Sequence, residues 1–137
     1  MDEEVIETGE NSSLEENRSI HVLVVDDLKV NYLLIKAMLG KLNATIYWAE
    51  NGFLAIDYIL EGNIVDIVLM DYNMPGMNGV EATFVLKEIR PNLPVISLST
   101  FTDSKHFNRK AAPFDGYISK PVESEMLYRA IENLISL

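Results

Sequence analysis

The chain has 137 residues, 48% hydrophobic and 23% charged, with no cysteine and a net charge of −10. That length suits one domain with a true core, and the missing cysteines exclude disulfide frameworks, thiolate metal sites and thiol nucleophiles. The acidic balance argues against direct nucleic-acid binding, and no apolar run approaches the ~18 residues of a membrane span.

Met1 to Ser19 holds seven acids and one base, Arg18, without a hydrophobic period. It reads as an acidic flexible tail or linker, and residues 20–137 as the folded domain. An acidic opening is unlike a signal peptide, so a cytoplasmic location is expected. Ile20–Val25 is a short apolar run closed by Asp26-Asp27, the signature of a buried parallel strand. Val30, Leu33, Leu34, Ala37, Met38 and Leu42 then recur at helical spacing. Ala44–Ala49 reads as a less apolar second strand, suited to a sheet edge. Asn51-Gly52 turns the chain into a helix from about Phe53 to Leu60, stopped by Gly62.

Ile64–Met70 reads as the third strand, ending at Asp71, with Asn73-Met74-Pro75-Gly76 as a loop. Asn78 with Glu81 three residues on predicts a capping box, and the helix it opens should run to Ile89. Pro94–Leu98 is expected as the fourth strand, and Thr102–Ala112 as a short helix stopped by Pro113. Tyr117–Ser119 reads as a fifth strand, and Glu123–Ile135 as an amphipathic helix carrying Met126, Leu127, Ala130, Ile131 and Leu134. This alternation predicts an α/β fold, a doubly wound parallel sheet of five strands with helices on both faces. Trp48, Phe53 and the six methionines are assigned to core or surface filling.

Ligands of an open parallel sheet bind beyond the carboxyl ends of its strands. The polar residues expected there are Asp26 and Asp27, Asp71, Ser99 and Thr100, and Lys120. Each alone could be a cap or a solvated charge, but all of them on one rim argue for a site. Three neighbouring carboxylates repel one another unless a cation intervenes. Oxygen ligands without His or Cys suit a hard divalent ion, above all Mg²⁺. Three carboxylates, Mg²⁺ and Lys120 sum to neutrality, a setting that accepts a phosphoryl group onto one carboxylate.

Taken together, Asp26-Asp27, the run Asp71-Tyr72-Asn73-Met74-Pro75-Gly76-Met77-Asn78-Gly79, Ser99-Thr100 and Lys120-Pro121 resemble the receiver domain of two-component response regulators. The resemblance spans about Ile20 to Leu137 and implies a flavodoxin-like sheet of order 2-1-3-4-5. It implies that Asp71 accepts a phosphoryl group from a histidine kinase or histidine phosphotransfer protein. It further implies Mg²⁺ held by Asp27, Asp71 and the backbone carbonyl of Asn73, with Asp26 acting through water. Lys120 would neutralise phosphoryl oxygens, Ser99 would follow the phosphoryl group, and Tyr117 would be the switch aromatic. The expected output is a switched protein-interaction surface, not turnover of a substrate. A cis Lys120–Pro121 bond is expected as well, X-Pro bonds being the ones where cis is accessible. The chain departs from the pattern at Thr100 and Phe101, and in the Ala112-Pro113-Phe114 stretch.

A competing reading is a Mg²⁺-dependent aspartyl-phosphate phosphatase of the haloacid dehalogenase type. That chemistry needs Asp-x-Asp after the first strand, whereas here the two aspartates are adjacent. Such an enzyme would also turn over many phosphates per molecule.

Overall fold

Side chains of the inner strands alternate between two buried cores, and that alternation fixes the architecture. In the computed structural model, which describes residues 19–100 and 112–135, β1 (Ile20–Val25) sends Leu23 and Val25 to one core and Val22 and Val24 to the other. The same split recurs in β3 (Ile67–Asp71), with Val68 and Met70 on one face and Ile67 and Leu69 on the opposite one. A strand buried on both faces must be covered on both. Helices α2 (Gly52–Leu60) and α3 (Gly79–Ile89) cover one side, through Ala55, Ile59, Ala82 and Leu86. Helices α1 (Lys29–Met38) and α4 (Ser124–Leu134) cover the other, through Ile35, Leu127 and Ile131.

With β2 (Ala44–Ala49), β4 (Val95–Ser99) and β5 (Gly116–Ser119), the sheet is five-stranded, entirely parallel and ordered β2-β1-β3-β4-β5. This is the expected order, and β2 lies at the expected edge. All strands point the same way, so their carboxyl ends share one rim.

Several boundaries differ from the sequence expectation. β3 begins at Ile67 rather than Ile64: Ile64 is 66% exposed, and Asp66 turns its carboxylate to the His21 N–H at 2.7 Å. Asp71 is therefore the last residue of the strand rather than the one after it. Val30, Leu33 and Leu34 are exposed, and the buried positions of this segment are Ile35 and Leu39, the latter in a 3₁₀ turn over Leu39–Lys41. The helix is apolar over most of its circumference, so periodicity alone could not pick its inner face. Met126, expected on the apolar face of α4, is likewise exposed. The helix expected over Thr102–Ala112 and the acidic tail lie largely outside the described residues.

The local signals hold where their chemistry is specific. Asn78 Oδ1 accepts from Glu81 N at 2.9 Å and Glu81 Oε1 from Asn78 N at 3.0 Å, closing the capping box. Gly62, just past α2, takes φ +86°, a conformation glycine adopts without steric cost. Gly79 serves closeness instead: a Cβ there would sit 2.4 Å from the Asp71 carbonyl oxygen and 3.0 Å from Tyr72 Cα. Backbone cannot yield as a side chain tip can. Gly79→Ala is therefore expected to cost about 1–3 kcal/mol of stability, the usual range for overpacking. Gly40→Ala, which meets nothing within 4 Å, should stay within about 0.5 kcal/mol of wild type. Urea denaturation of the two variants checks both values.

Candidate functional site

The rim gathers the expected acids. Asp26 follows β1 on the face of Val22 and Val24, and Asp71 closes β3 on the face of Ile67 and Leu69. Carboxylate oxygens of Asp26, Asp27 and Asp71 all lie within 4.8 Å of one another. Asp26 and Asp71 are buried and Asp27 is half-buried. Lys120, one residue past β5, donates from Nζ to Asp71 Oδ1 at 2.9 Å. Its backbone N–H donates to the Ser99 carbonyl at 2.9 Å, extending the β4–β5 ladder to the rim. The Lys120–Pro121 bond is cis, as expected.

The two buried acids are held by donors. The Asp26 carboxylate accepts from Leu28 N at 2.9 Å and from Asn31 Nδ2 at 3.2 Å on each oxygen. Asp71 accepts from the Asn73 N–H as well as from Lys120. Burial pushes the Asp71 carboxyl up to about 6; the Lys120 ammonium and the Asn73 N–H pull the other way, while Asp26 adds repulsion. Desolvation thus outweighs the single cation nearby. A second cation held among the three carboxylates would offset that imbalance, and an all-oxygen donor set at this spacing fits a hard divalent ion such as Mg²⁺.

The remaining expected residues take different places. Ser99 is buried at the end of β4. Asn73 meets Asp71 through its N–H; the expectation for its carbonyl concerns a ligand bond to an ion. Tyr117 is half-buried in the core under α2 and α3, paired in register with Ser97, and its ring meets Phe114 edge-on at 5.8 Å. Thr100 is exposed.

Two residues were missed by sequence reasoning. Asn31 braces both Asp26 oxygens, and its position one helical turn past the Asp pair was a legible signal. Trp48, assigned above to filling, donates from Nε1 to the Asp26 carbonyl at 2.8 Å. Only the register of β2 against β1, which pairs Trp48 with Val24, brings that indole to the rim.

Comparisons with known proteins agree with this geometry. The family model described as the response regulator receiver domain matches residues 22–132. The autoinducer 1 sensor kinase/phosphatase LuxN of Vibrio campbellii is 32% identical over 120 residues, covering 88% of this chain and 14% of that protein. The sensor histidine kinase RcsC of Salmonella typhimurium is 30% identical over 122 residues, covering 88% of this chain and 13% of its own length. The chain therefore spans only a small part of these curated relatives. Among solved structures, a response regulator receiver domain protein from Clostridium thermocellum matches with TM-score 0.75 and 27% identity, over 85% of this chain and 94% of that one. The receiver domain of a sensor histidine kinase from Pseudomonas aeruginosa matches with TM-score 0.76 and 26% identity, over 88% of this chain and 100% of its own. In that structure a magnesium ion is coordinated in the active-site cleft. Its sheet order, its acidic rim and these relatives agree: the chain belongs to the response regulator receiver domains, the phosphoacceptor modules of two-component signalling.

Proposed function

We propose that Asp71 is the phosphoacceptor, that Asp26, Asp27, Asp71 and the Asn73 carbonyl serve a magnesium ion, and that the donor is a phosphohistidine on a histidine kinase or phosphotransfer protein. The observation that carries this reading is the buried Asp71 carboxylate, ion-paired at 2.9 Å to Lys120 with two further acids within 4.8 Å. Sensor kinases among the relatives support a phosphorelay role and a donor of that kind. That no helix among the described residues is long and apolar enough to cross a membrane is in keeping with a cytoplasmic module.

In the transfer, an Asp71 carboxylate oxygen attacks phosphorus in line with the donor nitrogen. The O–P bond forms as the P–N bond breaks, and the electron pair of that bond leaves with the imidazole. A loose phosphoryl-transfer transition state spreads negative charge over three equatorial oxygens, so the protein's part is positioning and charge stabilisation. When bound, Mg²⁺ supplies positive charge against the carboxylates and the arriving phosphoryl oxygens. Lys120 already donates to Asp71 and would pass that hydrogen bond to a phosphoryl oxygen. Ser99, on the neighbouring strand end, supplies a hydroxyl to the same group, and Tyr117, two residues behind it in register, carries the change into the core under α2 and α3. The product is a modified signalling domain rather than a released metabolite. Adjacent aspartates, one with its carboxylate tied to Leu28 N and Asn31, do not favour the phosphatase reading.

With acetyl phosphate or phosphoramidate and Mg²⁺, labelling should reach one phosphoryl group per chain and vanish in Asp71→Asn. Intact-mass spectrometry reads both, and undiminished labelling of the variant would place the nucleophile elsewhere.

Stability should follow the same carboxylate. Folding raises the Asp71 pKa, so the folded state holds that proton more tightly than the unfolded chain does. The resulting contribution is present in full below about pH 4 and is lost as pH climbs through about 6. In EDTA at pH 7.5, Asp71→Asn should therefore melt above wild type, with the gap closing as pH falls toward 5. Millimolar Mg²⁺ should raise the wild-type midpoint and move the variant far less, since only the native carboxylate cluster binds the ion. Calorimetric melts at two pH values decide this; a variant less stable than wild type at pH 7.5 would contradict it.

A further inference from the structure

Trp48 stands on the edge strand β2, yet its one polar atom is spent on the acidic rim. The indole Nε1 donates to the Asp26 carbonyl at 2.8 Å, while Asp26 N donates to the Ala49 carbonyl at 3.1 Å. The peptide between Asp26 and Asp27 is thus fixed at a point where the ladder itself offers that carbonyl no partner from β2. The indole is in turn held in place: the Tyr32 ring of α1 stacks on it at 5.7 Å with an interplanar angle of 17°, and Lys29 Nζ lies 5.8 Å from its centroid. Asn31, beside Tyr32, braces the Asp26 carboxylate. The backbone and side chain of Asp26 are therefore anchored from β2 and α1 together.

We propose that Trp48 is a positioning residue for the acidic site. Its N–H sets the plane of the Asp26–Asp27 peptide and so aims both carboxylates at a common centre. The inference rests on the reading of Asp26, Asp27 and Asp71 as a magnesium site. A tryptophan that merely packs against Tyr32 would need its ring but not its N–H. Without the N–H, the Asp26 carbonyl loses its partner and the peptide is free to rotate, carrying the half-buried Asp27 away from the position in which it shares a cation with Asp71. The fold itself, anchored by the two cores, would be little changed.

Trp48 is the sole tryptophan, so biosynthetic replacement alters one position only. β-(3-Benzothienyl)alanine has nearly the indole's shape and lacks the N–H; 4-fluorotryptophan keeps it. Isothermal titration with MgCl₂ should give a dissociation constant about three- to tenfold weaker for the benzothienyl protein, the scale of one lost hydrogen bond. The fluorotryptophan protein should match wild type, and Trp48→Phe should shift in the same direction as the benzothienyl form. Urea midpoints measured alongside separate this from a packing effect, which would lower stability and leave magnesium affinity alone. An unchanged magnesium constant in the benzothienyl protein, with wild type binding normally, overturns the positioning role and leaves the site reading standing. Failure of wild type itself to bind magnesium overturns both.

Discussion

Like-charge repulsion at the sheet rim is the constraint on which the rest of this molecule depends. Asp26, Asp27 and Asp71 bring three carboxylates within 4.8 Å where water is largely excluded. Such an arrangement is costly in a low-dielectric setting unless each charge is met by donors or cations. The chain meets it piecemeal, with Leu28 N and Asn31 at Asp26, Asn73 N and Lys120 at Asp71. The supply is incomplete, because burial still holds the Asp71 proton on to about 6. A receiver domain works from that shortfall. A site already satisfied would have no use for an incoming cation and no reactive carboxylate to offer a phosphoryl group.

The scaffold explains why the shortfall persists. β1, β3 and β4 are clamped between helical layers, so their ends cannot drift apart to relieve the repulsion. Gly79 lets α3 begin directly against the Asp71 carbonyl, where any side chain would collide with backbone. The Gly79 N–H donates to the Tyr72 carbonyl at 2.9 Å, closing the loop that follows β3. Rigidity at the strand ends and tension in the carboxylates are two aspects of one packing arrangement. Stability given up at the rim is recovered in cores that contain only two buried hydroxyls without a partner, Thr83 and Ser97, among the described residues.

Tyr117 lies on the strand that joins the rim to the core. Its strand carries Lys120 to the acids at one end, while its own ring packs on Phe114 in the core beneath α2 and α3. Two strands joined in register at Ser97 and Tyr117 thus link the rim to that core.

The strand order 2-1-3-4-5 was implied by the family resemblance. By itself the sequence determined the strand runs closed by acids, the Asn78–Glu81 capping box, a parallel sheet of five strands and the rim set Asp26, Asp27, Asp71, Ser99, Thr100 and Lys120. Those features are local in chemistry: short apolar runs, specific caps, and charges placed where a parallel sheet must end. Only the tertiary structure decided which face of α1 is buried, because Val30, Leu33 and Leu34 are as apolar as Ile35 and Leu39 and the choice falls to what packs opposite. It also decided where β3 begins, through the Asp66 bond to His21, a partner 45 residues away. Trp48 is the sharpest instance. Nothing in Tyr-Trp-Ala marks a residue that serves the acidic site; the register of an edge strand against β1 places the indole N–H on the Asp26 carbonyl, and register is a property of two strands paired in space, not of either one in sequence.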